Sequence, residues 1–130
     1  MIAVERRLTT VVGPTEPLLD LAPMIHRQRL VIEGTCERPI DDATICEYLR
    51  ELGSVTDMSV LIEPVTHRSP LYGWAGWVHW ETSGAHFYAW ERPLLFFSVD
   101  IYTCKAFDVD TTVAFTADFL RATHTVAKPF

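Results

Sequence analysis

The chain has 130 residues, 48% of them hydrophobic, with 11 Lys and Arg set against 17 Asp and Glu for a formal net charge of -6. That length suits one domain, which buries roughly two-thirds of the surface its unfolded chain exposes. The acidic balance and the lack of any basic cluster argue against nucleic acid, whose phosphates need Lys and Arg to neutralise them. Cys36, Cys46 and Cys104 are odd in number and form no CxxC pair, so no disulfide framework is expected, and a reducing cytoplasm is. No apolar run approaches the roughly 20 residues of a membrane span. The first ten residues, MIAVERRLTT, lack a hydrophobic signal core.

Taken in order, residues 1–28 read as an N-terminal arm and residues 29–130 as the domain. Gly13-Pro14 and Pro17 break the arm, whereas PLLDLAPMI, Pro17 to Ile25, is apolar enough to pack on its own domain or on a partner subunit. Arg29 to Cys36 is expected to form the first strand. Asp41 or Asp42 can accept hydrogen bonds from the first free amides of a helix whose Ile45, Tyr48, Leu49 and Leu52 recur at helical spacing, with Gly53 closing it. Met58 to Val65 reads as a strand and His67 to Gly76 as a loop.

The stretch from Thr66 to Cys104 holds all four tryptophans and three of the five histidines. Rings interleaved with His, Ser, Glu and Asp point to a sheet carrying a pocket. From Gly84 to Trp90, Ala85, Phe87 and Ala89 alternate with His86, Tyr88 and Trp90, so one strand face is apolar and the other polar and aromatic. Leu94 to Cys104 alternates likewise, placing Ser98, Asp100, Tyr102 and Cys104 together. Arg92-Pro93 between the two runs reads as a hairpin turn, because proline lacks the amide a ladder needs. Asp108 or Asp110 can cap a second helix, Thr111 to Ala122. The order strand, helix, three or four mostly antiparallel strands, helix predicts an α+β two-layer sandwich with both helices on one sheet face.

Four segments carry a resemblance. They are Leu30-Val31-Ile32-Glu33, then His67-Arg68 with Gly73 and Gly76, then Ser83 seven residues before Trp90, and finally Asp100-Ile101-Tyr102-Thr103-Cys104. Together, over roughly Leu30 to Leu120, they resemble the pyruvoyl-dependent S-adenosylmethionine decarboxylases of bacteria and archaea. That resemblance implies the same two-layer fold and a homodimer with pockets formed between chains. It also implies self-cleavage between a glutamate and a serine, with the serine becoming a pyruvoyl group. Ser83 occupies the serine position, but Thr82 stands in place of the glutamate. Ala75 replaces a serine and Tyr88 a histidine that assist the cut. The resemblance further implies a proton-donating role for Cys104 and a nucleoside contact for Trp90.

The candidate catalytic residues are therefore Ser83, Tyr88, Cys104, His86 and Asp100, and the candidate substrate-binding residues are Trp90, Glu91, His67 and Arg68. Tyrosine and histidine can transfer protons, histidine near neutral pH with little tuning. A flat indole suits stacking on adenine and attraction to a sulfonium cation. The spacing of Ser83, His86 and Asp100 gives no support for a nucleophilic triad, and His67, His79, His86 and Glu81 contain no HxH or HExxH, so no metal is expected. Trp74, Trp77 and Trp80 can narrow a pocket or build an interface.

An amino acid decarboxylase needs an electron sink such as a pyruvoyl carbonyl. With the cleavage residues changed, no cofactor is expected, and a pyruvoyl from Ser83 is disfavoured. The expected function is an enzyme acting on S-adenosylmethionine, or a similar small molecule, at its sulfonium by elimination, lactone formation or alkyl transfer. The alternatives are a self-cleaving decarboxylase of polyamine biosynthesis, acting on this substrate or a related amino acid, and a non-catalytic nucleoside-binding or regulatory relative.

Overall fold

Two helices and a sheet account for residues 28–129 in the computed structural model, which describes residues 8–130. The first seven residues of the expected arm lie outside the described residues. The elements are β1 (Gln28–Cys36), α1 (Asp42–Val55), β2 (Val60–Ser69), β3 (Gly73–Trp80), β4 (Ser83–Trp90), β5 (Phe96–Thr103), α2 (Val109–Phe119) and β6 (Ala122–Pro129). The strands form one sheet in the order β2-β3-β4-β5-β1-β6. Every neighbouring pair is antiparallel. This is the expected α+β arrangement of a mostly antiparallel sheet with two helices.

Strand alternation decides which side chains meet the helices. Leu30 and Ile32 of β1, Val78 and Trp80 of β3, Ala85, Phe87 and Ala89 of β4, and Phe97, Val99 and Ile101 of β5 are all buried. They pack with Ile45, Tyr48, Leu49 and Leu52 of α1. Tyr48 sits centrally, its ring 5.3 Å from Phe87 and stacked 5.7 Å from Phe115. Its hydroxyl pairs with Thr116 Oγ1 at 2.8 Å, and burial pushes its phenol well above the ordinary tyrosine range. Of the three tryptophans of β3, Trp80 is fully buried and Trp74 is partly buried against the core, while Trp77 is 37% exposed.

Both helices begin on aspartates. The Asp41 carboxylate accepts the Thr44 amide at 2.8 Å, and Asp108 accepts that of Thr111 at 2.8 Å. These partners hold both carboxyls below the usual range. Several boundaries differ from expectation. α1 continues through Gly53 to Val55, because the chain turns only at Thr56, whose hydroxyl donates to Leu52 O at 2.8 Å, and at left-handed Asp57. The expected loop His67 to Gly76 is instead the end of β2, a turn and the start of β3. Its glycines serve close packing: a Cβ on Gly76 would stand 2.6 Å from Ile45 Cγ2, where α1 lies on the sheet.

α2 stops at Phe119, since Arg121 takes a left-handed turn with φ 52°. The chain then returns as β6, an edge strand that the weak alternation of ATHTVAKP did not announce. The arm also departs from one expectation. Leu18, Leu19, Leu21 and Met24 are exposed rather than packed on their own domain.

Candidate functional site

The period-two alternation that buries one face of the sheet leaves a second, open face. Register places its residues in rows across the strands. One row runs Ala75, Tyr88, Ser98, Glu33, and the next runs Trp77, His86, Asp100, Val31. Beyond them lie Gly84, Tyr102 and Arg29 on one side and Trp90 with Phe96 on the other. The aromatic members form a continuous strip: the His86 and Tyr88 rings lie 6.5 Å apart, Tyr88 and Trp90 5.8 Å, Trp90 and Phe96 5.5 Å. Tyr88 is 43% exposed.

Polar contacts tie this strip to its neighbours. Ser98 Oγ donates to Glu33 Oε2 at 2.8 Å. The Arg29 guanidinium lies 4.9 Å from the centre of the Tyr102 ring. At the end of β5 the Cys104 thiol points to the Tyr102 hydroxyl, 4.0 Å away. The face thus combines two carboxylates, Glu33 and Asp100, with flat rings, a combination that attracts and stacks on a cationic aromatic ligand.

The nine residues singled out from sequence fall into three places. Tyr88, His86, Asp100, Trp90 and, at the β2 edge, His67 share the open face. Ser83 does not, because parity turns its side chain to the helix side, where it is 4% exposed. Its hydroxyl accepts the Cys104 amide at 3.1 Å, so Ser83 and Cys104 meet where the β3–β4 hairpin abuts the end of β5. A Ser83, His86, Asp100 triad is thereby excluded within one chain.

The third place lies at the opposite end of the same hairpin. Arg68 reaches Glu91 through both carboxylate oxygens, at 3.2 and 3.4 Å, and lies over Trp74 with 5.4 Å to the ring centre. His67, the next residue along β2, pairs with Ala75 and so extends the Tyr88 row of the open face. Arg68, Tyr72, Gly73 and Glu91 line a hollow of about 320 Å³. Trp90 precedes that wall and packs on Tyr88 and Phe96 instead.

A larger concavity of about 440 Å³ lies between the start of α1 and the end of α2, lined by Arg38, Thr44, Phe119 and Arg121 among others, and holds none of the nine. Among the described residues no three His, Cys, Asp or Glu side chains gather as a metal site would require. No helix among them is long and apolar enough to cross a membrane.

Sequence reasoning missed Glu33 and Arg29 as site residues. The alternation of Gln28–Cys36 puts them on one face, but only the pairing of β1 with β5 brings that face beside Ser98 and Tyr102.

No curated protein matches this chain. Its backbone resembles the crystal structure of the adenosylmethionine decarboxylase from Aquifex aeolicus VF5 with a TM-score of 0.65 at 12% identity, covering 82% of this chain and 89% of that one. The likeness is one of fold. In sequence, a family model described as S-adenosylmethionine decarboxylase matches residues 32–130, the whole sheet except the first four residues of β1, together with both helices. The chain therefore belongs to the S-adenosylmethionine decarboxylase family.

Proposed function

We propose that this protein binds S-adenosylmethionine or a close relative and breaks a bond between its sulfonium and an adjacent carbon, without a pyruvoyl group. The observation that carries this reading is the direct cross-strand pairing of Ala75 with Tyr88 on the open face. The two positions whose family counterparts assist self-cleavage face each other, and neither the serine nor the histidine remains. Thr82 replaces the glutamate before Ser83, and the Ser83 hydroxyl is buried and engaged by the Cys104 amide. These residues do not fit pyruvoyl formation, and no step below runs through that group.

Without an electron sink, loss of carbon dioxide from an amino acid is improbable. A sulfonium needs none, because it is already a good leaving group. In elimination, lactone formation or alkyl transfer alike, the electrons of the broken carbon–sulfur bond pass to sulfur and release a neutral thioether nucleoside. Elimination also requires a base to take the proton of the neighbouring carbon, and Asp100, His86 and Tyr88 are the candidates. In lactone formation the substrate's own carboxylate makes the new carbon–oxygen bond, so the protein need only hold the chain folded on itself. Tyr88 and Trp90 would stack on the nucleoside and the cation, an attraction of roughly 0.5–2 kcal/mol. Glu33 and Asp100 would favour the positive sulfur.

A homodimer belongs to this reading. Ser83 and Tyr88 stand five residues apart on one strand, about 17 Å, so a single substrate near Cys104 would meet Tyr88 only from a second chain. Residues 1–28 would be an arm and 29–130 the working domain. The three free cysteines suit a cytoplasmic setting.

Incubation of the purified protein with S-adenosylmethionine is expected to release a thioether nucleoside detectable by mass spectrometry. Absence of product together with calorimetric binding would leave only a nucleoside-binding role. One observation favours the self-cleaving decarboxylase as a second reading: Thr82 has φ 61°, a left-handed backbone that side-chain-bearing residues adopt at a cost, directly before Ser83. Intact mass separates the two. A single species near 14.8 kDa supports the first, and two fragments divided at Ser83 support the second.

A further inference from the structure

On the helix side of the sheet, away from the open face, charges of both signs wall the concavity of about 440 Å³ between the start of α1 and the end of α2. Arg38 comes from the loop between β1 and α1, and Arg121 from the turn between α2 and β6. Glu37 precedes the first, and Glu47 projects from the second turn of α1. Among the described residues none of the four forms an ion pair. The two arginines stand apart in this. Arg27, Arg50, Arg68 and Lys105 pair with carboxylates, while Arg29 and Lys128 lie over aromatic rings. Of the described basic side chains only Arg38, Arg92 and Arg121 do neither, and Arg38 and Arg121 share one wall. Opposite charges that line a single hollow without meeting leave room for a ligand that bridges them.

The rest of the lining is apolar and firmly held. Ile40 and Leu120 are buried and Phe119 is half-buried. The Cys36 thiol donates to the Leu120 carbonyl at 3.6 Å, and burial pushes its pKa up, so it serves as wall and not as nucleophile. Pro39 and the Asp41 cap, which accepts the Thr44 amide at 2.8 Å, fix the backbone just after Arg38. Arg121 itself is left-handed, with φ 52°, a conformation that glycine adopts with less strain. An arginine kept in that place is explained by what its side chain does.

We infer that this cavity binds a free α-amino acid with an apolar side chain, at a site separate from the face that carries Tyr88 and Trp90. Arg38 and Arg121 receive the carboxylate, whose two oxygens suit a guanidinium fork. Glu37 and Glu47 receive the ammonium, and Ile40, Phe119 and Leu120 take the side chain. A phosphate would leave both glutamates facing like charge, and a polyamine would leave both arginines so. Ligand pockets span roughly 300–1,000 Å³, and 440 Å³ lies at the small end, as a single amino acid requires. Neither the proposed reaction nor a second chain is needed for this site, so its test is read without S-adenosylmethionine.

Calorimetry on the full chain uses leucine, methionine and phenylalanine in turn. At least one should bind with a dissociation constant below about 1 mM. Its methyl ester, which lacks the carboxylate, and its N-acetyl form, which lacks the ammonium, should each bind at least about tenfold more weakly. Arg121→Gly should weaken the free amino acid at least about tenfold while the melting temperature does not fall, because glycine relaxes the left-handed turn. Arg38→Gln repeats the loss from the other wall, at an exposed residue outside the core. Arg92→Gln removes the third unpartnered arginine, which lines the other hollow, and should bind within twofold of the parent. The site is overturned if none of the three amino acids binds below 1 mM, or if a blocked form binds within threefold of the free one. Binding within threefold of the parent in both Arg121→Gly and Arg38→Gln, or an equal loss in Arg92→Gln, also overturns it. Inorganic phosphate held by Arg38 and Arg121 in place of the amino acids would reject it as an anion site only.

Discussion

Ser83→Ala distinguishes the two chemistries of this fold with one substitution. The hydroxyl accepts the Cys104 amide at 3.1 Å and is 4% exposed, so water cannot readily take its place. Removing it leaves a partly buried N–H without a partner, a loss of about 1–2 kcal/mol. For a chain of this size the urea slope is roughly 2 kcal/mol/M, which moves the unfolding midpoint down by about 0.5–1 M with the slope unchanged. Under the reading proposed above, Ser83 positions Cys104 and supplies no reacting atom. Release of the thioether nucleoside should then fall no more than about tenfold, the rate equivalent of the 1–2 kcal/mol carried by this one hydrogen bond. The measurement pairs a urea titration with steady-state turnover on the same sample. A parent that arrives as two fragments, with Ser83→Ala arriving whole and wholly inactive, would refute the reasoning. An unchanged urea midpoint would refute the hydrogen-bond account of Ser83 separately.

Asp100→Asn keeps the shape of the open face but removes one candidate base and one of its two carboxylates, and should lower kcat more than tenfold if Asp100 takes the proton. A kcat within twofold of the parent shifts that role to His86 or Tyr88. Tyr48→Phe strands the buried Thr116 hydroxyl, 2.8 Å from its partner, and should cost about 1–2 kcal/mol by urea denaturation. Adding Thr116→Val should recover part of that, and a double variant weaker than the sum of its parts would count against the pairing. Gly34→Ala would place a Cβ 2.5 Å from the Phe97 ring and 2.9 Å from the His124 carbonyl. It should destabilise by about 1–3 kcal/mol, seen as a lower melting temperature.

Acid should loosen the helix starts. Asp41 is held low by hydrogen bonds from Thr44 and Asp108 by hydrogen bonds from Thr111. A carboxyl depressed in the folded state stabilises fully above its unfolded value near 4, and that contribution is lost as pH falls through the folded value. The urea midpoint should therefore decline from about pH 4 downward, less steeply in Asp41→Asn/Asp108→Asn, whose amides still cap but do not titrate. Parallel acid limbs in the two proteins would reject these carboxylates as the cause.

Local chemistry, written within a few residues, is what the sequence determined by itself. Alternation along Gly84 to Trp90 and Leu94 to Cys104 indicated the two strands seen at Ser83–Trp90 and Phe96–Thr103 and their two faces, and the aspartate pairs Asp41/Asp42 and Asp108/Asp110 indicated where both helices begin, because caps and pleats are short-range. The motifs from Leu30 to Cys104 were enough to indicate the family. Pairing between distant segments belonged to the tertiary structure. It placed β1 beside β5, which brought Glu33 to Ser98 and Arg29 to Tyr102. It returned β6 as an edge after a left-handed turn at Arg121. Glycines that read as a loop at Gly73 and Gly76 were there because backbone and helix approach closely. It also parted Ser83 from His86 and Tyr88: one residue of parity sends a side chain through the sheet to the opposite face, and which face meets the helices is decided only when the sheet and helices pack together.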